Sequence, residues 1–250
     1  MKLHPRPKVI GGKFAFYGAD HFEDLVHWAH RVGPAVPTSI ELMLVVSRSV
    51  PFISGPGVMI VAPVFADGFR AAWKDLSFMK SRPRGARWVT PFLPMKLSAM
   101  TARVMHHYPD RYDYAVDNMW THAPCADLLP GLKRIVETLP PAPSHMLWMN
   151  WAPKTTRPDM AYSMEDGIYI ALYGIWKDEE GEAAASTWAV SRMRELAPLA
   201  KGVQLADENL GERPAPFLAD SNLARLDRLR ATHDPAGRFH PYIGRPSGPA

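Results

Sequence analysis

Twenty-five prolines in 250 residues constrain this chain more than any other feature of its sequence. That is twice the ordinary share of about 5%. Proline locks φ and lacks a backbone N–H, so it belongs in turns, at strand edges and in the first turn of a helix. Here the prolines punctuate the chain rather than forming a low-complexity tract, which predicts many short elements joined by defined turns. With 47% hydrophobic residues and a net charge of +4, the chain is built to fold rather than to stay disordered. Its single cysteine, Cys125, excludes an internal disulfide framework and a cysteine-rich metal site. No apolar run approaches the length of a membrane span. The start, MKLHPRPKVIGG, lacks the apolar core of a signal peptide, so the expected location is cytoplasmic. Basic residues are scattered among acids, and the one dense patch, RPRGAR at 82–87, reads as a solvated turn. Neither a nucleic acid nor a membrane is an expected partner.

Periodicity supplies the elements. The opening reads as a short strand, a proline-rich crossing and a second strand at 13–17. A helix follows at 20–32, with Asp20 and Glu23 as a capping box and Gly33-Pro34 as its stop. Apolar runs at 40–49 and 58–66 read as buried strands, and Phe69, Ala72, Trp73 and Leu76 mark one face of a helix at 69–81. A strand at 86–92, a helix at 96–109, an alternating aromatic strand within 111–123 and a helix at 126–138 come next. The second half reads as strands at 144–153 and 166–178, a short edge at 160–164, a long helix at 178–200, a strand at 201–209 and a helix at 222–232. In that last helix Leu223, Leu226 and Leu229 point inward. Too few strand–helix–strand units occur for a doubly wound sheet. The expected fold is therefore α+β: a large, mainly antiparallel sheet with helices packed on one face, in one compact domain.

No glycine-rich phosphate loop, H-E-x-x-H or G-x-S-x-G is present. His106 and His107 are adjacent, so on a helix they diverge by about 100° and do not clasp one metal. Cys125, with His122 near it in sequence, reads as an inert thiol. What stands out is aromatic density on strands. Period two puts Tyr112, Tyr114, Val116 and Asn118 on one face, and Trp148 with Asn150 on one face opposite Trp151. In 166–178 it offers either Tyr169, Ala171, Tyr173 and Ile175 or Ile168, Ile170, Leu172, Gly174 and Trp176. Such a wall suits an apolar or aromatic ligand, and it equally fills a sheet–helix core.

The C-terminal segment, NLARLDRLRATHDPAGRFHPYIGRP, resembles the closing signature of the berberine-bridge-enzyme-like branch of the vanillyl-alcohol-oxidase flavoproteins. Asn222, Arg225, Leu226, Leu229, Arg230, Asp234, Pro235 and Phe239 match it, while Gly237 replaces the usual Asn. KLHPRPKVIGGKFAF is similar to the exit strand of that family's flavin domain, and the segments from Phe22 and from Gly167 are similar to its substrate-domain elements. The resemblance implies a substrate (cap) domain over residues 13–246, with its closing segment at 207–246, after a remnant of the flavin-domain exit strand at 1–12. It implies FAD as cofactor, bound mainly by a domain absent from this chain.

By position in the family, Tyr112 and Tyr114 fall where an aromatic pair lines the active site. Trp148, Asn150, Tyr169, Tyr173 and Trp176 then stand as substrate-wall residues, and Asn222 and Phe239 lie toward the flavin. Gln204 and Ala206 stand where the family has a Y-x-N pattern, so its usual tyrosine is replaced here. The implied function is the substrate-binding portion of an FAD-dependent oxidoreductase that moves a hydride from a small organic, plausibly aromatic, substrate to flavin. Its partner is an FAD-binding domain or subunit, and self-association is left open. The alternative is a flavin-free ligand-binding or interaction module retaining the cap fold. A non-functional remnant, with a large apolar patch exposed, is a third reading.

Overall fold

A computed structural model describes residues 6–151 and 160–240. The run IYIALYGIW forms β8 (Ile168–Trp176), buried on both sides through Ile175. It lies between β7 (His145–Asn150) and β6 (Asp113–Thr121), antiparallel to both. β7 continues onto β2 (Leu42–Ser47), then β3 (Gly57–Ala66), then β1 (Val9–Gly18). Two short strands, β4 (Trp88–Val89) and β5 (Leu93–Pro94), pair side by side with β1 at the far edge. Every pairing is antiparallel, as expected.

One face of the sheet carries the helices. From α1 (Phe22–Val32) come Phe22, Leu25, Val26, Trp28 and Ala29; from α4 (Cys125–Glu137), Leu128, Leu132 and Ile135. These pack with Trp188, Met193 and Leu196 of α6 (Trp188–Leu196) onto Leu44, Ile60, Met146, Trp148, Ile170 and Leu172 of the sheet. This is the main core. The remaining helices are α2 (Phe69–Asp75), α3 (Leu97–Met105), α5 (Glu179–Ala185) and α7 (Asp220–His233).

Several elements depart from the sequence expectations. β1 starts at Val9, four residues before the strand expected at 13–17, and the short strand expected ahead of the proline-rich crossing lies outside the described residues. Gly11 sits inside it because β5 and the Phe92 ring come too close for a Cβ. The expected boundary between residues 12 and 13 therefore falls within a strand paired along its whole length with β3. α1 begins at Phe22 after a 3₁₀ turn, and neither Asp20 nor any other side chain caps it. The strand at 86–92 shrinks to β4, and the expected edge at 160–164 has no strand. The helix at 178–200 is two helices, broken at Ser186-Thr187. The segment at 201–209 is not a strand but makes one bridge, from Gly202 to Trp120.

On α2, Phe69 and Trp73 turn outward against the edge of Phe92, while Ala72 is buried. No residue of α7 is buried. Leu223 and Leu226 rest on a small cluster of Val203, Leu210, Phe217 and Leu218, and Leu229 is exposed. Residues 1–5, 152–153 and 241–246 of the expected elements lie outside the described residues.

Candidate functional site

Among the described residues, no helix layer covers the second face of the sheet. The register lays side chains across it in rows that span six strands. One row runs Phe14, Val61, Met43, Met149, Tyr169, Trp120. The next runs Phe16, Met59, Val45, Leu147, Ala171, Asn118. Phe14, Val61, Met43, Met59, Leu147 and Met149 are only half-buried, so the middle of this floor is an open apolar surface. Neither row contains a basic residue.

At the β8–β6 end the floor meets a polar cluster. The hydroxyls of Tyr169 and Tyr173 donate to the same oxygen of Asp207, Oδ2, at 2.9 and 3.1 Å. Tyr108 stands edge-on to Tyr173, 5.1 Å between ring centroids. His145, the cross-strand neighbour of Tyr173, stacks on it at 4.7 Å and bonds the Pro143 carbonyl through Nδ1. Trp120 lies against Tyr169 at 4.9 Å and Trp151 at 6.4 Å.

Asp207 reaches this face because the chain after α6 is threaded along the β6 edge. Trp120 exchanges backbone hydrogen bonds with Gly202 and Lys201. The Asn118 amide extends that pairing, donating to the Gln204 carbonyl at 3.0 Å and accepting from its N–H at 2.7 Å. Further on, Arg213 grips Asp117 with two hydrogen bonds of 2.6 Å and also donates to the Asn118 carbonyl. Both partners are buried, so this pair fixes the loop at the cost of desolvating two charges.

The electrostatics assign protonation states. Burial first, and then neighbouring hydroxyls and the Asp207 carboxylate, hold the Tyr169 and Tyr173 phenols well above their usual range. Both are neutral hydrogen-bond donors near neutral pH, not bases. Burial takes His145 down to about 4, so it too is neutral. Among the described residues, Asp207 is the one carboxyl group that the two phenols share.

The sequence-predicted residues divide. Tyr169 and Tyr173 come together as described, and Gln204 lies beside them through its backbone bonds to Asn118. Tyr114 shares their face, but it is 39% exposed and its hydroxyl donates to the Pro109 carbonyl. Tyr112 packs at the rim of the cluster, with the Lys177 ammonium 5.9 Å from its ring. Trp148 and Asn150 point to the helix side, where the indole N–H donates to the Asn150 carbonyl oxygen at 3.0 Å; both are core residues. Trp176 shares that parity, and its Cβ lies under Gly181 of α5. Asn222 bonds the carbonyls of Met160 and Ala161, and Phe239 is 73% exposed. The structure does not bring these two to the tyrosine cluster. Sequence reasoning missed Asp207, Tyr108, His145 and Trp120. The only advance signal for Asp207 was an acid beside the replaced Y-x-N positions.

Comparison with known proteins places this geometry. No protein-family profile matches the sequence. The chain is 23% identical over 206 residues to the FAD-linked oxidoreductase nodO of Hypoxylon pulicicidum, covering 77% of this chain and 44% of that protein. It is 24% identical over 231 residues to penO of Penicillium crustosum, covering 86% and 48%. It thus spans about half the length of these relatives. Among solved structures, 6-hydroxy-D-nicotine oxidase from Arthrobacter nicotinovorans superposes with a TM-score of 0.72 at 13% identity, over 96% of this chain and 55% of that one. Physcomitrella patens BBE-like 1 superposes with a TM-score of 0.69 at 11% identity, over 95% and 54%. The chain is homologous to FAD-linked oxidoreductases. Its fold is that of one half of the berberine-bridge-enzyme-like, vanillyl-alcohol-oxidase-type flavoenzymes.

A flavin can be tested against the residues present. A half-exposed apolar floor suits the ring system of that group. The absence of basic side chains from the floor leaves its phosphates without a partner there.

Proposed function

We propose that this chain supplies the substrate side of an FAD-linked oxidoreductase, with the flavin held mainly by a domain outside it. One observation carries the reading: the uncovered apolar floor ends in two neutral phenols that share a single carboxylate. When bound, the flavin would supply the hydride acceptor for a substrate C–H bond. Phe14, Met43, Met149 and their neighbours in the rows seat an apolar substrate and exclude water from it. Tyr169 and Tyr173 orient its polar atom. A proton leaving that atom passes to a phenol oxygen as the phenol's own proton moves to Asp207 Oδ2, so neither tyrosine need ionise. The small-molecule substrate, the flavin-binding partner and a cytoplasmic setting all belong to this reading.

The test is a visible spectrum of the tagged chain purified alone and together with its flavin-binding partner. Flavin bands in the joint sample support the reading. A well-folded chain that acquires no flavin in either sample overturns it in favour of a flavin-free binding module. In an active complex, Asp207→Asn should lower kcat by about 10²-fold or more. Tyr114→Phe should leave turnover nearly unchanged, because that hydroxyl is already committed to Pro109.

A further inference from the structure

Asp207 is held from one side only. Its Oδ2 takes both phenol hydrogen bonds, while Oδ1 accepts none among the described residues and is not sealed from solvent. The carboxylate also lacks a counter-charge, because the cations on neighbouring elements are engaged elsewhere. Arg213 grips Asp117, Lys201 lies 3.8 Å from Asp166 and donates to the Glu165 carbonyl, and the Lys177 ammonium lies over Tyr112. Neither row of the floor contains a charged side chain. The backbone is bent to put Asp207 there. Ala206, just before it, has a φ of 102°, in the left-handed region that suits glycine and strains a residue with a Cβ. Such strain persists where the surroundings enforce it, and it gathers at ligand sites. Around the carboxylate, Tyr108, Tyr112 and Trp151 are only partly buried, so their rings remain within reach of a ligand.

We propose that Asp207 Oδ1 is the anchor for a protonated amine whose apolar body lies on the floor beside it. A carboxylate without a counter-charge attracts a cation, and it does so more strongly beside buried rings than in bulk water. The faces of aromatic rings attract the same ammonium group, as Lys177 on Tyr112 already illustrates within this cluster. An anion is repelled by Asp207. A neutral alcohol gains one hydrogen bond there and leaves the charge uncompensated. The inference rests on the proposed function in taking this face as the substrate site, and it adds the charge of that substrate.

The test is a calorimetric titration of the full chain with three probes that share one ring and differ in charge: 2-phenylethylamine, 2-phenylethanol and phenylacetate. The amine should bind about tenfold tighter than the alcohol, the worth of a charge-assisted hydrogen bond, and phenylacetate should bind weakest. Added salt should narrow the gap. Asp207→Asn keeps an acceptor for the phenols and removes the charge, so it should erase the amine's preference while the alcohol still binds. If that variant does not fold, the wild-type chain decides through magnetisation transfer from the amine's methylene protons to the ring protons of Tyr108 or Trp151. Absence of that transfer overturns the proposal. So do equal binding of amine and alcohol, no binding of the amine, and an undiminished amine preference in a folded Asp207→Asn chain. Flavin co-purification is scored separately. Its failure beside an intact amine preference removes the enzymatic reading and keeps the anchor; the opposite pattern removes only the anchor.

Discussion

The two faces of the sheet carry side chains from the same strands and serve different ends. On β7, Trp148 looks into the helix layer and is fully buried, while its neighbour Met149 lies half-covered on the open floor. The helix face interlocks α1, α4 and α6 with six strands in the main core. The open face is held at one end by a polar cluster and is otherwise half-exposed, and it is the face proposed to take the ligand. A sheet can be equally apolar on both sides and still divide the work, because burial, not residue type, decides which side stabilises.

Substitutions can break this contrast. Trp148→Ala should destabilise the chain by about 4 kcal/mol, because it opens a large cavity in the main core and strands the Asn150 amide. Urea unfolding checks it, and a loss below half that value would mean that the helix layer is loosely packed. The next effect is a pH dependence that belongs to the open face. His145 is 2% exposed, stacked on Tyr173 and near His107 and Tyr108. Its folded-state value is about 4, against an ordinary 6.5. Below pH 6.5 the unfolded chain takes up a proton that the folded chain refuses. Stability should therefore fall as pH drops from there to about 4, by about 3 kcal/mol in full. His145→Gln should lose that part of the acid sensitivity, read as the difference between the two proteins' urea midpoints across the range.

Asp207→Ala should follow, at about 2 kcal/mol, since it leaves two buried phenols without their acceptor. Asp207→Asn keeps an acceptor oxygen and should recover much of that loss, as a thermal melt would show. Smaller still, Met149→Ala should lower stability by about 1 kcal/mol while weakening ligand binding on the floor. Least of all, Lys133→Ala should change stability by less than about 0.5 kcal/mol, although Lys133 lies 3.0 Å from Glu23. That pair is half-exposed, on the outer surface of the helix layer.

Much of the architecture could be read from periodicity because the strands are long and clearly patterned. β2, β3, β7 and β8 lie where their apolar runs fall, and the two parity sets of 166–178 both proved real, one for each face. The misreadings have local causes. The strand expected at 13–17 starts earlier, at Val9, and Gly11 lets it run on because the backbone of Leu93 and the Phe92 ring leave no room there for a Cβ. The segment 201–209 looked like a strand, but Asn118 pairs with it through a side chain rather than a ladder. The site was legible only where it lay on a strand, as Tyr169 and Tyr173 do. Asp207 comes from a loop whose path is set by the long-range Arg213–Asp117 grip, and no local pattern announces such a contact. Trp148 and Asn150 were assigned to the ligand wall because period two identifies faces without saying which one the helices cover.

The margins of the sheet have a consequence for assembly. β1 is fenced by β4 and β5, each only two residues long, and β6 by the chain around Gly202 and by the Asn118 amide. A long bare margin would offer a template on which a second molecule could add strands and seed a fibril. Here both margins are blunted. Growth by sheet extension is disfavoured at these covered positions, Gly11, Gly12, Ala15 and Phe16 of β1 and Asn118 and Trp120 of β6.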